Sequence, residues 1–180
     1  MAFYLGTPAG PQNLWFLPTD GRPREVFATS YDDRSPAVSP DGGWLAYVSD
    51  ESGEDEVYVL PTGELGTRVT ASTNCGTEPV SRSDGCQLFY RSADDLMAVA
   101  FDPVSGAVGA PECVITGRPD LLRTPQGNPN YDVSPDGRRF LMIQQVVGSG
   151  PIDLQVVLNW DEELRARVPA VGADGRTAVE

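Results

Sequence analysis

One tetrapeptide, repeated with variation, constrains this chain more than any other feature. Ser39-Pro40-Asp41-Gly42 is turn chemistry: Pro presets φ, Asp accepts local backbone hydrogen bonds, and Gly takes a positive φ without a Cβ clash. Before it lies a short extended run, residues 35–38, with Pro36 at its head, where a missing N–H does least harm. After it, residues 44–48 are aromatic and β-branched, as a strand requires. Together they read as a β-hairpin, and the pattern returns twice. Ser81-Arg82-Ser83-Asp84-Gly85 leads into Gln87-Leu88-Phe89-Tyr90, with Arg82 read here as standing where Pro is usual and Cys86 where a polar residue is usual. Ser134-Pro135-Asp136-Gly137 leads into Arg138-Arg139-Phe140-Leu141-Met142. Each copy has a proline just upstream, at Pro36, Pro79 and Pro129, and the Asp-Gly pairs begin at 41, 84 and 136.

A unit of roughly 40–50 residues holding a few strands is the mark of a propeller blade. The expected fold is therefore all-β: a partial β-propeller of nearly four four-stranded blades with a short C-terminal helix. The blades fall at about 3–28, 35–70, 77–116 and 131–158, the first lacking its innermost strand. Val57 and Val59 alternate with Glu56, Tyr58 and Leu60, so one sheet would face a neighbour on each side. Residues 117–130 form a Pro/Gly/Asn-rich connection longer than usual. The spacing predicts a helix over 160–168, with Asn159 as N-cap, Pro169 as stop, and Trp160, Leu164 and Val168 on one stripe. A disordered tail is expected over 170–180.

Composition removes several function classes. A net charge of −13 opposes binding to a nucleic-acid backbone, which needs basic patches. Every basic residue is Arg and there is no His, so the usual acid–base residue near neutral pH is missing. No apolar run is long enough for a transmembrane helix, which leaves no expectation of membrane insertion. The first six residues lack the basic and apolar regions of a signal peptide. Cys75, Cys86 and Cys113 fit no metal-ligand spacing and read as small buried or half-buried thiols. The acidic run Asp50-Glu51-Ser52-Gly53-Glu54-Asp55-Glu56 departs from the Ca²⁺-loop pattern and reads as a solvated hairpin tip. No metal site and no cofactor is expected.

These hairpins, followed by strands such as Glu56-Val57-Tyr58-Val59, resemble the TolB-like (WD40-like) β-propeller repeat over about residues 13–169. The runs Gly76-Thr77-Glu78-Pro79-Val80, 129–142 and Val156-Val157-Leu158-Asn159-Trp160 are similar to the C-terminal half of propellers attached to bacterial Ser/Thr protein kinases. No kinase motif occurs here. The resemblance implies a sensor-like, non-catalytic binding or scaffolding module engaging protein or peptide, in a periplasmic or extracytoplasmic setting. It also implies six or seven blades, so self-association into a homodimer that completes or mimics a ring is expected.

Loops that precede innermost strands would gather at the mouth of the channel. They supply the candidate ligand-binding residues Tyr31, Asp32, Arg34, Asn74, Glu78, Asn130 and Tyr131. The bland alternative is that Arg34, Glu78 and Asn130 satisfy one another and the loop backbone. The catalytic alternative is a cation-dependent propeller hydrolase of the lactonase type, drawing on Glu78, Asn130 and Asp132. No catalytic residue is assigned, since neither a Ser-His-Asp set nor a G-x-S-x-G turn is present.

Overall fold

Each Asp-Gly turn closes through the side chains that its sequence supplies. In the computed structural model, which describes residues 2–6, 10–18, 21–63, 67–117 and 128–144, Ser39 Oγ donates to Asp41 Oδ1 at 2.5 Å and accepts from Trp44 N at 2.9 Å. Gly42, at φ +74°, donates its N–H to the Ser39 carbonyl. Ser134, Asp136, Gly137 and Arg139 reproduce this set in the last copy.

The middle copy corrects the sequence alignment. Arg82 donates its N–H to Gln87 O, as Ser39 does to Trp44 O, and accepts from Gly85 N. Arg82 thus occupies the serine position, and Ser83 the proline position. Its guanidinium replaces the serine hydroxyl, holding Asp84 through Nε at 2.7 Å and Nη2 at 2.6 Å, while Nη1 reaches Gln87 Oε1. That contact, with the Cys86 N–H, holds the Asp84 carboxyl down to about 2.

Among the described residues, thirteen strands follow in hairpin order. The first sheet joins β1 (Ala2–Gly6), β2 (Gln12–Phe16) and β3 (Arg24–Phe27). Next come β4 (Arg34–Val38), β5 (Trp44–Ser49), β6 (Glu56–Pro61) and β7 (Val69–Thr70). A third sheet contains β8 (Thr77–Ser81), β9 (Gln87–Ser92), β10 (Asp95–Ala100) and β11 (Glu112–Ile115). A pair, β12 (Tyr131–Val133) and β13 (Phe140–Met142), opens the last. All pairings are antiparallel. The strand expected at 154–158, the helix at 160–168 and the tail at 170–180 lie outside the described residues.

Period-2 alternation decides how the sheets stack. Tyr58 and Leu60 of β6 point into one core with Leu14, Val26, Leu45 and Tyr47 of the first two sheets. Val57 and Val59 point into the other, with Leu88, Tyr90, Val99 and Phe101 of the third sheet. Phe89, Leu96 and Ala98 turn away from that core to meet Tyr131, Phe140 and Met142. Every interior sheet is buried on both faces, as stacked blades must be.

The cysteines depart from expectation. Cys75 is half-buried, but Cys86 and Cys113 are exposed; no disulfide joins them. Cys86 lies in the turn before β9, and Cys113 on the outer strand β11, three of whose four residues are exposed.

Candidate functional site

The register places all the starts of β4, β8 and β12 at one end of the stack. Arg34 stands opposite Val48, Thr77 opposite Arg91, and Tyr131 opposite Met142. The connections 28–33, 50–55, 71–76 and 93–94 therefore share this upper end, while the Asp-Gly hairpins occupy the lower one.

Three of the seven candidates are buried there: Arg34, Glu78 and Tyr131. Asp32 and Asn130 are half-buried, and Tyr31 and Asn74 are exposed. They form two groups. Arg34 Nη1 bonds Asp32 Oδ2 at 3.1 Å, and its Nη2 pairs with Asp55. Asp32 Oδ1 accepts from Gln12 N, and Asp32 N donates to Asp50 Oδ1, so this group ties the first sheet to the second. In the second group, Tyr131 Oη donates to the Glu78 carbonyl at 2.8 Å, and Asn130 N donates to Glu78 Oε2 at 3.5 Å. Burial pushes the Tyr131 hydroxyl well above its ordinary range, with the Glu78 charge adding and Arg91 opposing, so it remains a donor. Asn74 contributes its carbonyl, which accepts from Ser92 Oγ, and Tyr31 presents its ring to solvent.

The acidic run is more than a solvated tip. Asp50, Ser52, Gly53 and Glu54 are exposed, while Glu51, Asp55 and Glu56 are half-buried. Glu51 pairs with Arg68, Asp55 with Arg34, and Glu56 accepts from Ser72 Oγ and from Cys75 N. These acids lock neighbouring loops together. Asp33, fully buried, accepts from Thr29 Oγ1 at 2.5 Å, and burial raises its pKa.

Backbone conformation separates the two ends. Ser35, Asn74, Cys75, Glu78 and Ala93 are the non-glycine residues with positive φ among the described residues, and all lie at the upper end. Ser35 and Glu78 each precede a proline at a register shift in an innermost strand, positions where side chain and ring both disfavour that geometry. Among the described residues, lower-end turns reach positive φ only through glycine, at Gly21, Gly42, Gly85, Gly106 and Gly137, whereas the upper end uses Gly53 and Gly117 beside those five. A crevice of about 10 Å³ between β5 and β9, lined by Trp44, Leu88 and Phe101 among others, holds about one water and no organic ligand. Among the described residues no cluster of three His, Cys, Asp or Glu side chains is placed to hold a metal ion.

Arg91 was missed by sequence reasoning. It stands opposite Thr77 as Val48 stands opposite Arg34. Aligning the repeats strand by strand would have marked it as a cation in a core position.

No protein-family profile and no curated protein matches the chain. Solved structures do. A putative TolB from Agrobacterium tumefaciens matches at 16% identity and TM-score 0.55, over 85% of this chain and 53% of that one. TolB from Acinetobacter baumannii matches at 22% and 0.50, over 82% and 47%. A putative 6-phosphogluconolactonase from Bacteroides uniformis matches at 18% and 0.52, over 78% and 43%. At such identities the likeness is one of fold: the chain is a partial β-propeller of TolB-like kind. It spans about half the length of the TolB structures.

Proposed function

We propose that this propeller segment is a non-catalytic binding or scaffolding module that engages a protein or peptide through its upper end. One observation carries the reading. All five non-glycine positive-φ residues among the described residues sit at that end, the four other than Asn74 each at a cost of about 1–2 kcal/mol, and strain of this kind gathers where a binding surface must be held in shape. The ion pairs of Arg34 with Asp32 and Asp55 brace the same loops, leaving Tyr31 and Asn74 exposed on a pre-organised rim. The absence of His from the chain, with the nearby carboxylates already engaged by Arg34, Ser72 and Arg68, favours binding over catalysis.

The test is selection of binders from a displayed library of random peptides, followed by paired variants. Tyr31→Ala should weaken the selected peptides about tenfold, as truncating an aromatic anchor does at interfaces, and Asn74→Ala should weaken them as well. Val104→Ala, at a lower-end position 92% exposed, should change nothing. Peptides that respond to Val104 and ignore Tyr31 and Asn74 would place recognition at the wrong end.

A further inference from the structure

Arg91 is only 2% exposed, yet its Nε and Nη2 find no hydrogen-bond partner. Among the covered donors that share that condition, two lie near Arg91: Thr77 Oγ1 and Asn130 Nδ2. The topology brings them together. Thr77 is the cross-strand partner of Arg91. Asn130 reaches Glu78, the next residue along β8, through its backbone N–H. Tyr131, adjacent to Asn130, bonds the Glu78 carbonyl and feels the charges of both Glu78 and Arg91. Buried donors left open in this number are uncommon in folded proteins, and an open buried guanidinium is the costliest of them.

The identity of the two open nitrogens narrows the ligand. Nε–H and Nη2–H lie parallel along one edge of the guanidinium and match the two oxygens of a carboxylate. Arg82 of this same chain uses that edge, Nε to Oδ1 and Nη2 to Oδ2, to hold Asp84. A lone carbonyl would satisfy one of these nitrogens and leave the other open.

We propose that Arg91, with Thr77 Oγ1 and Asn130 Nδ2, forms a carboxylate-binding site between β8–β9 and the start of β12. The ligand is a carboxylate of a bound peptide, from a Glu or Asp side chain or from a free C-terminus. Asn130 is half-buried at the surface of this cluster; turning it outward gives up no hydrogen bond made by its Nδ2. Glu78, 1% exposed beside the site, repels an incoming anion and so sets a modest affinity. The inference rests on the upper end being the binding end, and adds the chemistry it recognises.

The test uses the full chain and sodium acetate at fixed ionic strength, read by the ¹⁵N–¹H resonance of Arg91 Nε, with acetamide as the uncharged control. Acetate should shift that resonance to saturation; acetamide should not. Arg91→Gln should lose about tenfold to a hundredfold in affinity, the range for charge-assisted hydrogen bonds. Arg91→Lys, which keeps the charge without the parallel edge, should lose about as much. Since either change could unfold the sheet, Thr77→Val serves as the second variant, with an expected loss of a few-fold, and Glu78→Gln should tighten binding a few-fold. Equal response to acetate and acetamide, an unmoved Arg91 resonance, or weaker binding in Glu78→Gln overturns the proposal. N-acetyl-Ala-Ala with a free C-terminus, its amide, and N-acetyl-Glu-amide then distinguish the sources. The free terminus alone binding assigns a C-terminus, the glutamate alone a side chain, and both a general carboxylate site. Library peptides indifferent to Thr77→Val while Tyr31→Ala abolishes them would sink this site and spare the binding role; acetate at Arg91 with no peptide ever selected would do the reverse.

Discussion

Gly106→Ala isolates a contact that crosses between blades. Gly106 lies in the β10–β11 connection at φ +73°, and a Cβ there would collide with Trp44 Cη2 and lie 2.9 Å from Trp44 Cζ3. The indole has little room to retreat. It stacks edge-on against Phe101 at 5.1 Å, and its Nε1 donates to Pro103 O at 2.9 Å. Three costs add: about 1 kcal/mol or more for placing a Cβ at positive φ, about 1–3 kcal/mol for overpacking, and about 1 kcal/mol for the indole hydrogen bond. The expected loss is about 3–5 kcal/mol, a large fraction of a domain's stability. Gly42→Ala is the control, since Gly42 has φ +74° with nothing within 4 Å of its Cβ position, so it should lose only the backbone contribution. Urea unfolding followed by far-UV circular dichroism gives both values, provided the slope is unchanged. In a Trp44→Ala background the extra penalty at Gly106 should vanish, because the colliding ring is gone. If Gly106→Ala and Gly42→Ala agree within about 0.5 kcal/mol, the error level of such comparisons, the inter-blade contact does not constrain the turn and the reasoning is wrong.

Acid should weaken the fold through its turns. Asp41, Asp84, Asp102 and Asp136 are each held below the ordinary carboxylate range, first by a side-chain hydrogen bond from Ser39, Arg82, Ser105 and Ser134 respectively. The unfolded chain therefore binds more protons between the two pKa values. Stability is complete above the unfolded value and falls as pH drops toward about 2. Asp84→Asn should flatten part of that pH dependence in urea midpoints, and an unchanged slope counts against the assignment. Two copies are expected to associate, since Leu141 is 77% and Ile143 52% exposed on the last described hairpin; light scattering should give twice the 19.3 kDa chain mass, and a monomer refutes it. Dialysed protein should carry no stoichiometric divalent ion, and one found by elemental analysis would move the reading to a cation-dependent hydrolase.

The hairpins were legible because their chemistry is local: Ser39, Asp41 and Gly42 specify their turn within four residues, and repetition did the rest. Blade stacking was legible for the same reason, through the alternation of Val57 and Val59 with Tyr58 and Leu60. What was not legible depended on partners distant in sequence. Arg82 looked like a proline substitute because Ser81 offered a false alignment, and only the two-nitrogen grip on Asp84 reveals its place. The acidic run looked solvated because Arg34, Arg68 and Ser72, which engage it, come from other segments. Arg34, Glu78 and Tyr131 stand at one end of the stack, where their places before or within innermost strands put them, but the fold buries them there through partners that only the tertiary structure supplies.

The alternation along β6 has a consequence for how this sequence can change over time. Tyr58 and Val59 are joined by a peptide bond, yet they serve different cores. A substitution at one leaves the packing demands on the other nearly untouched, whereas Val59 and Leu88, on separate sheets, share a core and must keep their volumes matched. Adjacent positions are then free to drift independently, and pairs far apart in the chain should vary in concert. Inheritance along such a stack runs across the blades, face to face, and not along the strand.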